Sequence, residues 1–323
     1  MSNQQSDAFG QGHISLGIYL HLGDHRKMLQ LMLSQASSAL NVGFDGVTFP
    51  EHHGGRSSYP PDPLLITAQV LSREPRGWCA PAPTLPLLRS ARVLAENLAW
   101  LDTSFEGRIG AALGAGFDKS DFDAVGAGFD DRMSRFRSSS LELSKLLWEL
   151  PRLEDLIGVG EPTPIVKTPV LIATRGPRNA KFAGESGFGL FLPPLPPEVA
   201  RSLVDVYSAP GGRGPVTVSS WVWLGTAPTE SVDALNNAIS LTQGDLSWRD
   251  DSSVIQVISS REPMEIVSKL ANLTELSGGT NLHLRLHLPG ISAQAINKQI
   301  TLLGQEVLPA LHAELLNIYK SKS

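Results

Sequence analysis

Short apolar runs alternate with segments of helical spacing along most of the chain, and this alternation constrains the fold more than any other feature. We predict strands at residues 14–20, 46–49, 77–82, 108–113, 169–174, 188–192, 216–224 and 281–288. We predict helices at residues 28–40, 63–71, 91–101, 132–150, 177–186 and 296–311. Strands separated by crossover helices pair in parallel. About eight such units fit, which favours an α/β fold, a (β/α)8 TIM barrel forming a single domain over residues 14–318.

Composition and charge exclude several classes of protein. The chain has 323 residues, 41% hydrophobic and 18% charged, which one barrel domain can accommodate. The net charge of -5 provides no general attraction to nucleic acid or to an acidic membrane. No run of 18 apolar residues occurs, so we expect no membrane span. The polar N-terminus lacks a signal-peptide pattern, and we expect residues 1–13 to be disordered or poorly ordered.

Cys79 is the only cysteine of the chain. A single thiol excludes an intrachain disulfide and a metal site built from cysteines alone. This cysteine usage predicts a reducing, cytoplasmic setting.

Residues 43–53 carry the densest set of chemical signals. Gly43 can end a helix in the left-handed conformation, and a β-prone run follows. Glu51, His52 and His53 come next, at the carboxyl end of a strand, where barrels carry their active sites. Imidazoles titrate near neutral pH, so we predict proton transfer by this triplet, with Glu51 as a possible orienting group. The alternative is a structural hydrogen-bonding group.

A Glu-His-His cluster also raises the question of a metal. Adjacent histidines on a turn rarely face one ion, and no third ligand has local spacing. We therefore predict no metal site.

The last predicted strand alternates leucines with polar residues, His283, Arg285 and His287. We expect the leucines to face the helices and the polar side chains to face the barrel interior. His287 is nearest the carboxyl end of the strand, so it is a candidate for contact with substrate. A buried polar cluster that satisfies itself is the alternative.

Four stretches of the chain resemble the bacterial luciferase-like flavin-dependent monooxygenases, whose fold is a (β/α)8 barrel. They are residues 43–53 with the Glu-His-His triplet, residues 95–108 (A-E-N-L-A-W-L-D…G-R), residues 121–132 beginning with Asp121-Phe122, and residues 169–187 with P-V-L-I-A and P-R-N-A. The similarity covers most of the chain and is weak over residues 201–275.

The resemblance implies a monooxygenase that uses reduced FMN and O2 on a small organic substrate, through a C4a-peroxyflavin. It places His52 at the reactive edge of the flavin and a cis peptide under the ring. We assign that peptide to Ala82-Pro83, since a proline lowers the cost of the cis form. The family uses the turn after the fifth strand for the flavin phosphate.

That turn corresponds here to Thr174, Arg175, Gly176 and Arg178. Pro177 suits a first helical turn, and free backbone N–H groups with arginines favour an anion. The alternative is a pair of solvated arginines.

Two positions depart from the family pattern. Ser90-Ala91 replaces a common His-Pro pair, and Leu113 replaces a basic residue near the flavin phosphate. No nicotinamide fingerprint occurs, so the resemblance implies a separate flavin reductase, and it suggests a homo- or heterodimer through the early helices. Two alternatives stay open: an F420-dependent oxidoreductase of the same fold, and a non-catalytic subunit that supports an active partner. Both departures favour the subunit.

Overall fold

Nine strands, all paired in parallel, make up the sheet in the described part of the chain. The computed structural model describes residues 7–19, 25–54, 59–105, 107–148, 168–242 and 256–320. The strands are β1 (Ile14–Gly17), β2 (Gly46–Phe49), β3 (Trp78–Pro81), β4 (Ala111–Gly114), β5 (Val170–Ala173), β6 (Gly189–Pro194), β7 (Val216–Leu224), β8 (Val257–Ser260) and β9 (Asn281–Arg285).

Eight of these strands form a ring in the order β3-β2-β1-β9-β7-β6-β5-β4. The bridges Cys79–Ile109 and Thr84–Leu113 join the two ends of this order. The predicted (β/α)8 barrel is therefore confirmed. Strand β8 lies outside the ring and pairs with the last four residues of β7.

The helices cover the outside of the ring. They are α1 (His25–Asn41), α2 (Pro63–Leu71), α3 (Ala91–Phe105), α4 (Lys119–Asp123), α5 (Arg132–Trp148), α6 (Pro177–Glu185), α7 (Pro197–Ser208), α8 (Thr229–Thr242), α9 (Pro263–Ser277), α10 (Ala293–Glu306) and α11 (Leu308–Lys320). None of the helices in the described ranges is long and apolar enough to cross a membrane.

The largest apolar cluster lies between the strands and these helices, and it includes Leu282, Leu284, Leu286 and Leu288. A second, smaller cluster includes Trp78, Ala80, Ala82, Ala112, Leu171 and Phe191. The ring of His283 contacts Phe191, so the polar face of β9 turns inward and its leucines face the helices, as predicted.

Glycine is required at two positions that shape the site strand β2. Gly43 has a φ of 112°, and it ends α1 in the left-handed region as the sequence predicts. At Gly46, a Cβ atom would lie 2.2 Å from the indole of Trp78. The absence of a side chain at Gly46 therefore lets Trp78 fill the barrel beside β2.

The described part of the N-terminal segment differs from the expected poor order. Ala8 and Phe9 are buried, and the ring of Phe9 lies 4.6 Å from that of Trp78, centroid to centroid. Burial of an aromatic ring against another stabilises this end of the chain. The expectation for residues 1–6 falls outside the described residues.

The structure differs from the predicted elements at two other places. The final helix is two helices that meet at Val307, because Pro309 cannot donate the backbone hydrogen bond of a continuous helix. The region of weak similarity contains α7, α8, β8 and α9, for which the apolar pattern predicts no elements.

Candidate active site at the carboxyl ends of the strands

Glu51 is the most heavily bonded residue of the triplet that follows β2. Its carboxylate is 1% exposed, and it accepts hydrogen bonds from the Thr84 hydroxyl, from the Leu85 backbone N–H at 2.8 Å and from Arg89. It also bonds Nε2 of His53 at 2.9 Å. Glu51 therefore ties the end of β2 to the segment after β3 and does not orient His52.

Asp121, at the start of the third stretch of family resemblance, orients His52. The Nδ1 atom of His52 lies 2.7 Å from Oδ2 of Asp121, and Oδ1 of the same carboxylate accepts the backbone N–H of His53 at 2.6 Å. Asp121 is fully buried, on the short helix α4, whose N-terminal cap is Asp118. With Nδ1–H donated to the carboxylate, Nε2 of His52 is left as the functional nitrogen.

Two tyrosine rings link His52 with His287 around the mouth of the barrel, and a phenylalanine packs on His52. His52 packs edge to face on Tyr59 at 4.4 Å and on Phe117 at 5.3 Å between centroids. Tyr59 packs on Tyr19 at 5.7 Å, and Tyr19 lies 5.6 Å from His287. The two predicted site histidines thus border one rim.

His287 is half-buried at this rim. Its Nε2 lies 2.9 Å from Oε1 of Gln35, a fully buried residue of α1. His283, four residues earlier, sits deeper, and its Nδ1 lies 3.2 Å from the Ser15 hydroxyl. The polar face of β9 is therefore partly bonded within the protein and partly presented to the mouth.

The pKa values of Glu51 and His53 are displaced in opposite directions. Burial alone would raise the pKa of Glu51, but the hydrogen bond to His53 and the charge of Arg89 hold it below its ordinary value. The hydrogen bond to Glu51 raises the pKa of His53. The pair is therefore stabilised as a carboxylate beside an imidazolium.

The predicted phosphate turn lies at the N-terminus of α6. The Thr174 hydroxyl accepts the backbone N–H of Gly176 at 3.1 Å, while no side chain caps the helix. The next backbone N–H groups of the helix are therefore available to an anion. Arg178 is exposed there. Sequence reasoning missed Arg137 on α5, whose guanidinium donates to Asn179 at 3.4 Å.

The segment after β3 has the predicted geometry. The Ala82-Pro83 peptide is cis, as predicted, and the carbonyl oxygen of Pro83 accepts the backbone N–H of Glu51 at 3.0 Å. Ala80, Ala82 and Ala112 are small residues on the inner face of the strands next to this peptide.

Leu113 does not line the mouth, contrary to the prediction. It is fully buried in the large apolar cluster between strands and helices. Side chains alternate along a strand, so the neighbouring Ala112 and Gly114 face inward instead. The side chain of Leu113 therefore cannot replace the basic residue that the family pattern has at this position.

The residues of this mouth fit a flavin, as judged from the structure itself. The uncapped N-terminus of α6 suits a phosphate, and the side chains next to the Ala82-Pro83 peptide on the inner face include three alanines. Deeper in the barrel, Oγ1 of Thr48 and Nε1 of Trp221 have no hydrogen-bond partner among the described residues. In the same ranges, no three metal-binding side chains come together.

A parallel barrel with a polar, aromatic-lined mouth defines the class of protein. The profile of the luciferase-like monooxygenase family matches residues 18–240, and the chain belongs to that family. A curated relative, the uncharacterized protein y4vJ of Sinorhizobium fredii (strain NBRC 101917 / NGR234), is 28% identical over 177 residues, 50% of this chain and 49% of that protein. The chain thus spans about half the length of this curated relative.

Solved structures share the fold over nearly their whole length. Monooxygenase RslO1 from Streptomyces bottropensis matches with a TM-score of 0.71 and 20% identity, covering 92% of this chain and 99% of that one. An F420-dependent secondary alcohol dehydrogenase matches with a TM-score of 0.71 and 17% identity, covering 93% and 98%.

The oxygenating constituent of 3,6-diketocamphane monooxygenase from Pseudomonas putida, solved with FMN, matches with a TM-score of 0.70 and 18% identity, covering 93% and 98%. At these identities the likeness establishes the fold alone.

Proposed function

We propose that this chain is a flavin-dependent monooxygenase that uses reduced FMN and O2 on a small organic substrate. The observation that carries the proposal is the buried His52–Asp121 pair at the barrel mouth. Nε2 of His52 has no hydrogen-bond partner in the described ranges, and the residue keeps 8% of its surface exposed. A proton can therefore be exchanged at one defined atom.

The chain's own residues would divide the work as follows. Asp121 holds the imidazole so that Nε2 accepts a proton from, or returns one to, the reacting groups. Tyr59 and Phe117 pack on the imidazole and limit access of water to it. Glu51 and His53 are positioning residues that fix the loop carrying His52.

FMN would be held at two places in the mouth. Thr174, Arg175, Gly176 and Arg178 at the start of α6 would take its phosphate, and Ala82 and Pro83 would lie against its ring. The flavin, when bound, supplies the activation of oxygen, which no side chain can provide. The substrate and the reduced flavin would come from solution, the latter from a separate flavin reductase.

The test begins with binding, because it separates the candidate functions. FMN and F420 are titrated into the purified full chain, with Arg178→Ala and Thr174→Ala as variants of the turn. The exposed Arg201→Ala, on α7, is the control. The proposal is supported if FMN binds more tightly than F420 and if both turn variants, but not the control, weaken FMN binding. Tighter binding of F420 supports the F420-dependent oxidoreductase, and binding of neither supports the non-catalytic subunit.

His52 is then tested by kinetics with the same protein. His52→Gln should slow the oxidation of bound reduced flavin by oxygen, or change its product ratio, while FMN affinity is retained. Unchanged oxidation in this variant would remove His52 from the mechanism.

We also propose a dimer through α2 and α3. Leu65, Val93 and Trp100 on these helices are exposed by 65%, 48% and 57%, and such apolar side chains suit an interface with a second copy or a close relative. Trp100→Glu should shift the sedimentation profile to a monomer. The single thiol, Cys79, which is buried, fits our proposal of a cytoplasmic location.

A further inference from the structure

One layer of the barrel interior contains buried donors that lack partners. The register pairs Thr48 with Gly17, Gly17 with Arg285, and Arg285 with Trp221, so these four residues form a row across β2, β1, β9 and β7. Arg285 is two residues after His283, which contacts the inner ring of Phe191. Because residues two apart share a face, the row points into the barrel.

The polar atoms of this row are unsatisfied. Oγ1 of Thr48, Nε of Arg285 and Nε1 of Trp221 are enclosed and have no hydrogen-bond partner in the described ranges. Thr48 is 0% and Trp221 6% exposed. Buried polar groups are normally paired, and each unpaired one costs about 1–3 kcal/mol, so such a row is built to receive a partner.

The chemistry of these atoms specifies the partner. The indole N–H and the guanidinium are donors only, so the partner must supply acceptors. Arg285 lies over the Trp221 ring at 5.8 Å, and no carboxylate of the described ranges pairs with it. Burial, and then the charge of Arg285, lower the pKa of the nearest titratable neighbour on the same face, His283, so this neighbour adds no second positive charge to the row.

The middle of the row carries no side chain of its own, and the ring of His283 packs against it. Gly17 has no side chain, and a Cβ there would come within 2.9 Å of Nε2 of His283. The row lies one step below the rim, where His287 and Tyr19 pack together. A group that enters from the mouth therefore meets the guanidinium and the indole after it passes the rim.

We propose that Arg285 and Trp221 form a subsite for the carboxylate of an acidic organic substrate. A planar carboxylate matches the guanidinium fork and can accept the indole N–H with the same oxygens. The subsite rests on the proposed function for the identity of the reaction, because it names the class of substrate that the monooxygenase would take. All the donors of the subsite belong to the protein, so we expect carboxylates to bind without flavin. The competing occupants are the acceptor edge of the flavin ring, and water alone.

The experiment measures binding to the cofactor-free full chain at pH 7.5. Linear carboxylates of four to ten carbons are compared with primary amides of the same length by calorimetry and thermal shift. Arg285→Met removes the charge, Arg285→Lys keeps it without the fork, and Trp221→Phe removes only the indole N–H. Arg201→Met is the control, since Arg201 is an exposed partner of Asp205. FMN is titrated separately into each variant.

The expected result is that carboxylates bind more tightly than their amides. Arg285→Met should weaken carboxylate binding by about tenfold or more, which is the size expected for the loss of a hydrogen bond to a charged group. Trp221→Phe should weaken them less, and neither variant should affect the amides.

Equal binding of acids and amides, or no binding of either, would leave water as the occupant and overturn the proposal. Loss of FMN affinity with carboxylate binding unchanged would assign the row to the flavin. Because FMN binding at α6 is measured independently, failure of this subsite is distinguishable from failure of the proposed function. If Arg285→Met does not fold, Arg285→Lys and Trp221→Phe decide the question.

Discussion

His52 and Asp121, 69 positions apart in the chain, share a hydrogen bond of 2.7 Å in the barrel mouth. The second oxygen of Asp121 holds the backbone N–H of His53, so one carboxylate fixes both the ring and the loop. Partners that orient a functional group commonly matter about 10–100-fold to its performance.

Asp121→Asn should therefore lower turnover by about 10–100-fold while FMN affinity changes little, because an amide no longer fixes the tautomer of His52. Steady-state kinetics with separate flavin titration check this. Asp123→Asn, on the same helix and 58% exposed, is the matched control. Equal turnover in the two variants would mean that Asp121 serves the loop alone.

Glu51→Gln should destabilise the protein by about 3–5 kcal/mol, because it leaves Arg89 and the other donors without a buried carboxylate. Urea unfolding measures the loss, with the half-exposed ion-pair residue Glu96→Gln as control. The pKa of Glu51 is lowered in the fold, so its stabilisation is present above the unfolded carboxyl pKa. It is lost as the pH falls through the folded value, and the difference between variant and wild type should shrink in acid. A constant difference would contradict this reading.

The strands and the inward face of β9 could be predicted because their apolar period is local. Leu282 to Leu288 alternate, and the triplet follows its strand directly. Asp121 lies within the family pattern, but no local spacing links it to His52, so the sequence predicts no role for it. The inward row of Thr48, Gly17, Arg285 and Trp221 depends on the register of four strands, which the sequence does not contain. Strand β8 lacks a buried face, and all four residues are only half-buried, so its pattern is weak.

Asp102→Asn should stabilise the protein at pH 8. Burial raises the pKa of Asp102 from 3.8 to about 6, although the backbone N–H of Gly107 and the hydroxyl of Thr168 oppose this. Because the folded pKa of this carboxyl is raised, the protein loses stability as the pH rises from about 4 through about 6. This rise in pKa corresponds to a loss of at most about 3 kcal/mol of stability at high pH, and a neutral amide does not cause that loss. Melting curves should show the gain at pH 8 and none below pH 4, about the unfolded pKa. A gain in stability of the same size at both pH values would point to packing instead of charge.

His312→Gln should destabilise the protein in acid more than in alkali. Burial would lower the pKa of His312, but its hydrogen bond to Asp45, at 2.8 Å, and the charge of that carboxylate raise it above its ordinary value. The stabilisation is therefore full below the unfolded histidine pKa and is lost as the pH rises through the folded one.

We expect a cost of roughly 0.5–1 kcal/mol at pH 5.5 and less at pH 8.5, since both partners are about a third exposed. Burial lowers the pKa of the neighbouring His13, so its effect on stability changes with pH in the opposite direction. The stability of the variant must therefore be compared with that of the wild type at each pH. Asp45→Asn supplies the internal control. In that background the cost of His312→Gln should no longer be larger in acid, because the carboxylate that holds the imidazolium is gone and burial alone lowers the pKa of His312. A cost that is still larger in acid there would assign the raised pKa of His312 to another partner.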